Sequence, residues 1–396
     1  MNFKLALFIF TLFLQSCSLN NVVEFAENQK KEKLKEAKEK KFNNLVCKSK
    51  GREKRLYGLH PAIDEEIIKI INTHQLNFDE SIYIISYYML YFRPDATSVN
   101  SRTLHLYKNK KGLIKTLYIP NDSKSYLAYL KDKLKDKNVR ISKVSKAINS
   151  LPKRIPVSSQ LQKYIQSHQT SFYNSSFLKK IFFKGNQIIK QDETYPFIKK
   201  RLNIYGYKDK RTKKIDFLFK HDNGYQCNFD ENLFKDGPIF TKKNENVNSH
   251  VFAYFNSPNQ FFITVTASKP IIDRDKKTYL FETSVTNSFN SAICLNESLS
   301  NFVITSNNLH SEQILYNILS SSQYNDHRLI NTKRFLELQY PKRRVIEVYG
   351  EETDRSKRNK KYTIYTPTIG RVDYIEYKKN RPVLYKDPRN ELMICN

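Results

Sequence analysis

Residues 251–266 read VFAYFNSPNQFFITVT. Val251–Phe255 and Phe261–Thr266 are short runs rich in β-branched and aromatic residues, which is the composition and length of strands. Tyr279–Val285 and Phe302–Thr305 continue in the same character, as do Val345–Tyr349, Tyr362–Tyr365, Val372–Tyr377 and Val383–Tyr385. Only Glu312–Leu319 and Asn331–Leu338 read as helical interruptions. Strands that come in runs, rather than alternating with helices, argue for α+β over a wound parallel sheet.

Outward toward the N-terminus, Ile204–Tyr207 and Ile215–Phe219 flank the basic run Lys208–Lys214, an expected hairpin with a charged tip. Before residue 200 the pattern turns helical. Pro61 suits a first helical position, and Ile63, Ile67, Ile70 and Ile71 share one face. Ser81–Phe92 (SIYIISYYMLYF) is almost wholly apolar and aromatic. Its length favours a buried helix, with a strand as the alternative, and it is too short to span a bilayer. Arg102–Tyr107 and Leu113–Ile119 flank a Lys-Asn-Lys-Lys-Gly turn and predict a β-hairpin; 123–137 and 158–168 read as helices. The expected fold is α+β, with a helix-rich N-terminal part (49–200) followed by a β-rich antiparallel C-terminal part (201–396).

The 396 residues include 26 Tyr and 26 Phe, ample for packed cores, so global disorder is excluded. Nine glycines are scattered too widely to write a dinucleotide fingerprint, a P-loop or a nucleophile elbow.

At the N-terminus, Leu5–Leu14 is a ten-residue apolar run, the length of a signal-peptide core. It ends in Leu14-Gln15-Ser16-Cys17, which resembles the lipobox of bacterial lipoproteins, with Gln15 departing from the usual small residue. The resemblance implies removal of residues 1–16 and lipid attachment at Cys17. It further implies anchoring in the cell envelope, with Ser18 favouring the outer membrane. Residues 24–42 (EFAENQKKEKLKEAKEKKF) carry Glu–Lys pairs four apart and almost no apolar stripe. They predict a solvated helical tether within 17–48.

Cys47, Cys227, Cys294 and Cys395 remain, an even number in an exported chain, which favours disulfides over buried thiols. The expected pairs are Cys227–Cys294 and Cys47–Cys395.

The chain carries 68 Lys+Arg against 39 Asp+Glu. Residues 101–220 hold 29 Lys+Arg and 7 Asp+Glu, whereas 221–350 hold 13 of each. Drift would spread lysine evenly, so such clustering suggests an anionic partner, with compositional drift as the alternative. The sharpest local patch is Lys208, Lys210, Arg211, Lys213 and Lys214. In an envelope the candidate partners are anionic lipid, lipopolysaccharide, peptidoglycan or an acidic protein, and location argues against nucleic acid. The aromatics of 101–220, among them Phe172, Phe182 and Tyr195, fit either a stacking platform or core.

No local motif writes a reaction, and no cofactor or metal is expected. The eight histidines form no His-Glu-x-x-His or His-x-His pair. His221-Asp222 and Asp326-His327 read as surface or capping pairs. Ser150-Leu151-Pro152-Lys153 matches Ser-x-x-Lys by chance in a lysine-rich chain. Asp64, Glu65 and Glu66 sit in the first turn of a helix, where acids suit the macrodipole. The expectation is a non-enzymatic envelope lipoprotein binding an anionic component or a protein partner through a basic face. The alternative is a cell-wall or polymer-acting hydrolase with a site assembled from distant segments.

Overall fold

The computed structural model describes residues 23–34, 45–47, 54–112, 114–119, 125–198, 213–214, 219–220, 224–229, 248–257, 260–272, 280–283, 290–296, 298, 300–308, 310–338, 343–357, 363–378, 381–387 and 389. Helix α1 (23–34) and strands β1 (Leu45–Cys47) and β2 (Arg55–Tyr57) come first. Helices α2 (Pro61–Thr73) and α3 (Phe78–Phe92) lead to the hairpin β3 (Arg102–Lys108) and β4 (Ile114–Ile119). Helices α4 (Ser125–Leu134) and α5 (Ile141–Asn149) are followed by β5 (Arg154–Pro156). Next come α6 (Ser159–Ser167), α7 (Gln169–Asn174), α8 (Ser176–Phe182), β6 (Phe183–Lys184), β7 (Gln187–Ile188) and β8 (Thr194–Pro196). The strand-rich part opens with β9 (Lys213–Lys214), β10 (Phe219–Lys220) and β11 (Tyr225–Cys227). It continues with β12 (Asn248–Ser257), β13 (Gln260–Ser268), β14 (Pro270–Ile271), β15 (Glu282–Thr283), β16 (Asn290–Asn296) and β17 (Asn301–Asn308). Helix α9 (Ser311–Ser321) and a 3-10 turn, His327–Asn331, precede β18 (Phe335–Leu338), β19 (Arg343–Glu347) and α10 (Asp354–Lys357). The chain closes with β20 (Thr363–Thr366), β21 (Val372–Lys378) and β22 (Arg381–Lys386). The fold is α+β, helices mostly N-terminal and strands mostly C-terminal.

Two antiparallel sheets carry the fold. One has the order β1-β22-β21-β17-β16-β11-β10, the other β2-β12-β13-β3-β4-β9. They pack face to face: Val251, Ala253, Phe255, Phe261 and Ile263 meet Ile293, Leu295, Phe302, Ile304 and Ile375. Side chains alternate along a strand, so the intervening residues face outward. Phe252, Tyr254 and Phe262 pack under the N-terminal helices. Ala292, Cys294, Val303, Val372 and Tyr374 pack under Ile314, Leu315 and Ile318 of α9. The result is four layers, helix–sheet–sheet–helix. Both faces of β12 and β13 are covered, which is why their sequences read as nearly unbroken apolar runs.

Helix α3 lies inside the helical layer, buried on all sides. Its start is fixed by a capping box: Asn77 Oδ1 accepts the Glu80 amide at 2.9 Å, and Glu80 Oε2 accepts the Asn77 amide at 2.8 Å. The same carboxylate accepts Arg140 Nε at 2.8 Å, which ties α3 to the start of α5. Phe172, Phe182 and Tyr195 are core, not a stacking platform.

Several sequence expectations are corrected. Asn331–Leu338 is not helical: a 3-10 turn gives way to β18, whose Phe335 carbonyl accepts the Asn317 side chain and which pairs with β19. Strand β16 escaped sequence reading because asparagines bracket its short apolar centre. The hairpin expected over Ile204–Phe219 lies mostly outside the described residues. Within it, Lys213–Lys214 pairs with β4, and Phe219–Lys220 pairs with β11. The helical segment expected as a free tether touches the body. Glu27 Oε2 accepts the Tyr365 amide at 3.0 Å, Lys31 lies over the Tyr365 ring, and Leu34 joins the core of β18–β20. Strand β1 is an edge strand on β22. Among the described residues no helix is long and apolar enough to cross a membrane.

Candidate functional site: the polar end of the sandwich

At one end of the facing sheets β12 and β21 begin and β13, β17 and β22 end, and apolar packing gives way to buried polar groups. Helix α3 delivers the first of them. It stops at Arg93, whose amide bonds Met89 O, and the following Pro94 cannot donate a helical hydrogen bond. Residues 93–101 then form a wholly buried loop. Connecting segments normally run over the surface, because their backbone needs partners. Here side chains and short turns supply them. Arg93 grips Asp95 through two bonds, Nε–Oδ1 at 2.8 Å and Nη2–Oδ2 at 2.7 Å. Arg93 Nη1 donates to Gln160 Oε1 at 3.3 Å and to His250 Nδ1 at 3.1 Å.

His250 sits on β12, and its Nε2 donates to the Gly58 carbonyl. An arginine can only donate, so Nδ1 is the acceptor and the ring is the neutral Nε2–H tautomer. Burial first, then the Arg93 charge, pushes its pKa well below the usual value; the bond to Gly58 opposes this only in part. Gly58 has φ +112°, and a Cβ there would collide with β12 at Val251 and Phe252. Only glycine brings that carbonyl to the histidine. Thr97 and Thr266 share a hydroxyl hydrogen bond of 2.8 Å beside this group.

From the other sheet comes Arg371, just before β21. Thr305 Oγ1 donates to its carbonyl at 2.6 Å. Its guanidinium lies within electrostatic reach of Arg93, Asp373 and Asp387. Burial first, then the Arg93 charge, lowers its pKa; the two aspartates pull it back up. Its Nε is buried with no hydrogen-bond partner, and it makes no ion pair with a described residue. The Asn248 amide nitrogen, at the start of β12, is likewise buried and unpartnered. By alternation Ser249 points between the sheets toward this mouth.

The neighbouring arginines are, by contrast, each ion-paired to a carboxylate, although Arg334 Nε is itself buried without a hydrogen-bond partner. Arg334 pairs with Asp387 at 2.7 Å, and Arg389 Nε donates to Glu347 Oε2 at 2.8 Å. Arg334 Nη1 also donates to the carbonyls of Ile369 and Gly370, directly before Arg371. This cluster welds β18–β20 to the end of the sandwich.

The sequence-derived candidates fall elsewhere. Cys17, Lys208, Lys210, Arg211 and Cys395 lie outside the described residues. Lys213 and Lys214 form β9 at the edge of the six-stranded sheet. Cys227 and Cys294 are direct cross-strand partners on β11 and β16, with sulfurs 1.97 Å apart. Cys47 on β1 faces Leu384 in register. His221-Asp222 is outside the described residues. Asp326 caps the turn at Arg328, and His327 stacks on Tyr385. Ser150 Oγ meets His74 Nε2 at 2.9 Å, but on the exposed end of α5, where the hydroxyl already donates to Lys146 O. Among the described residues no group of three or more His, Cys, Asp or Glu is placed to hold a metal.

Sequence reading missed Arg93, His250 and Arg371. One signal was present: polar residues interrupt otherwise apolar strands at His105, His250, Thr264 and Thr266.

No family model and no curated protein matches the chain. Solved structures do. The cephalosporin acylase of Bacillus halodurans superposes with a TM-score of 0.52 at 10% identity, over 91% of this chain and 98% of that one. A structure of LmbA superposes at 0.51 with 6% identity, over 90% of this chain and all of that one. At these identities the likeness is one of fold alone.

Proposed function

We propose that the chain is a lipid-anchored cell-envelope protein whose sandwich end binds a small anionic ligand, a carboxylate, against Arg371. One observation carries the reading. Arg371 is a largely buried guanidinium with an unpartnered Nε and no ion pair to a described residue, whereas Arg93, Arg334 and Arg389 at the same end each pair with a carboxylate. A buried donor left unsatisfied costs about 1–3 kcal/mol, more when charged, so its retention suits a site completed by a ligand. A guanidinium fork matches a carboxylate in two-point fashion, and Arg93, already held by Asp95, contributes positive field rather than contact. The test is calorimetric titration of the protein with amino acids and dicarboxylates. Arg371→Met should abolish binding while leaving the melting temperature unchanged or higher. Equal affinity in the variant would place recognition elsewhere.

The second reading, amide-bond hydrolysis, is supported by the architecture shared with an acylase. In that case Ser249 is the candidate nucleophile, because it faces the mouth. His250 cannot serve as its base, since both ring nitrogens are engaged and the ring points to the opposite face. Release of a chromogenic amine from simple anilides, lost in Ser249→Ala, would favour this reading; no turnover by the wild-type protein would end it.

A further inference from the structure

Helix α1 is joined to the body at three points along one face. Glu27 Oε2 takes the Tyr365 amide, Lys31 lies 5.1 Å from the centre of the Tyr365 ring, and Leu34 packs on Phe335, Ile346 and Tyr349. The Tyr349 hydroxyl also donates to the Leu34 carbonyl. Glu27, Lys31 and Leu34 lie at i, i+4 and i+7, one helical stripe. The first turn is different: Val23 is 52% exposed and Phe25 64%, against the polar surface around them.

Six residue steps separate Cys17 from Val23, so even a fully extended chain reaches only about 20 Å. An acyl-bearing Cys17 therefore keeps the first turn of α1 within about 20 Å of the bilayer surface. An exposed valine and phenylalanine suit the headgroup boundary, and exposed Lys30 and Lys33 suit anionic headgroups. The helix itself is about 18 Å long, so its docked end lies within that distance of the first turn.

The docking partner continues directly to the polar end. Strand β19 carries Glu347, which binds Arg389, and Arg334 bonds the carbonyls of Ile369 and Gly370. Arg371 is the next residue. Rigid contacts thus run from the anchor side of α1 to the mouth of the sandwich.

We propose that α1 is a clamp and not a flexible spacer: it seats Val23 and Phe25 in the lipid bilayer surface and holds β18–β20, with the sandwich mouth beside them, against that membrane. The proposal rests on the reading of Cys17 as the lipid attachment site. It places the mouth where a ligand arriving from, or held at, the bilayer would enter. The β3–β4 turn, at the far end of a seven-residue strand of about 23 Å, is turned away.

The chain contains no tryptophan, so one introduced Trp reports alone. Phe25→Trp, Glu352→Trp beside Lys31, and Lys111→Trp at the β3–β4 turn are placed in the full lipidated protein. Each is reconstituted into vesicles whose phospholipids carry bromine near the headgroup end of their acyl chains. Intact mass reports whether Cys17 bears acyl groups. The expected result is loss of emission at Phe25→Trp, a smaller loss at Glu352→Trp and none at Lys111→Trp. Adding Leu34→Asp, which undocks α1 without touching the sandwich, should remove the loss at Glu352→Trp and keep it at Phe25→Trp. Acylated protein in which Glu352→Trp and Lys111→Trp respond equally overturns the clamp while the anchor stands. A mature mass without acyl groups removes the anchor, and the proposal with it.

Discussion

Asp64 shows how one side chain can change meaning once it is folded. In sequence it is one of three acids in a first helical turn, sufficiently explained by the macrodipole. In the structure Glu65 and Glu66 are exposed while Asp64 is buried, and neither of its oxygens has a well-formed hydrogen bond. Burial pushes its pKa well above the ordinary value, with the Leu59 backbone pulling the other way. The folded protein therefore holds a proton that the unfolded chain releases above about pH 4. That contribution to stability is present below the unfolded pKa and is lost as pH rises. Asp64→Asn should consequently raise the melting temperature at pH 7 and leave it unchanged near pH 3.5. An equal shift at both pH values would mean that Asp64 is ionised in the fold. His105 behaves oppositely. Stacked between Tyr129 and Phe262, and bonded to Thr264 Oγ1 at 2.7 Å, it is held by burial to a pKa of about 3. Its share of stability is present above about pH 6.5 and is lost as pH falls toward 3, by up to about 1.4 kcal/mol per pH unit. Denaturant unfolding between pH 7 and 4 should be shallower in pH for His105→Phe than for the wild type.

At the scale of elements, the cross-strand pair Cys227–Cys294 joins β11 to β16. The two cysteines are 67 positions apart in the chain, with β12–β15 between them, so a bridge there closes a long loop across both sheets. Constraining a loop of that size in the unfolded chain stabilises by roughly 2–4 kcal/mol. The expected outcome is a bridged peptide on non-reducing mapping and a lower denaturant midpoint for Cys227→Ala/Cys294→Ala. Two free thiols in protein purified without reductant would contradict it. The same scale shows why element boundaries differed in legibility. Helix α2 and the β3–β4 hairpin are written by local periodicity and a local turn. Strand β18 is not, because its register depends on β19 and on Asn317 from α9.

For the whole molecule, the N-terminal segments 23–34 and 45–47 are part of the body: α1 docks on β19–β20, and β1 extends the seven-stranded sheet. A soluble form meant to keep the fold should begin near residue 19, since removing residues 1–48 strips both. With that form, the exposed lysines of the helical layer, Lys135, Lys137, Lys146, Lys163 and Lys180 among them, should draw anionic vesicles. Such binding should weaken steeply from low to physiological salt, as screening shortens the reach of exposed charge. Sedimentation with vesicles at two salt concentrations measures it, and salt-indifferent binding would count against an electrostatic partner.

The sequence by itself determined the class of the fold, because hydrophobic period and turn chemistry are local and survive in any tertiary context. It also determined the concentration of positive charge before residue 220 and the lipobox-like Leu14-Gln15-Ser16-Cys17, which needs no fold to be read. Only the tertiary structure decided that segments on either side of residue 200 interleave in one sheet, β2–β4 with β9, β12 and β13. Only it brought Arg93, His250 and Arg371 to one end, from positions far apart in the chain. Strand pairing and burial are properties of residues distant in sequence, and a charge or an imidazole acquires its partners, tautomer and pKa from whatever the fold packs around it. The polar end was therefore written in the sequence only as isolated polar residues on apolar strands.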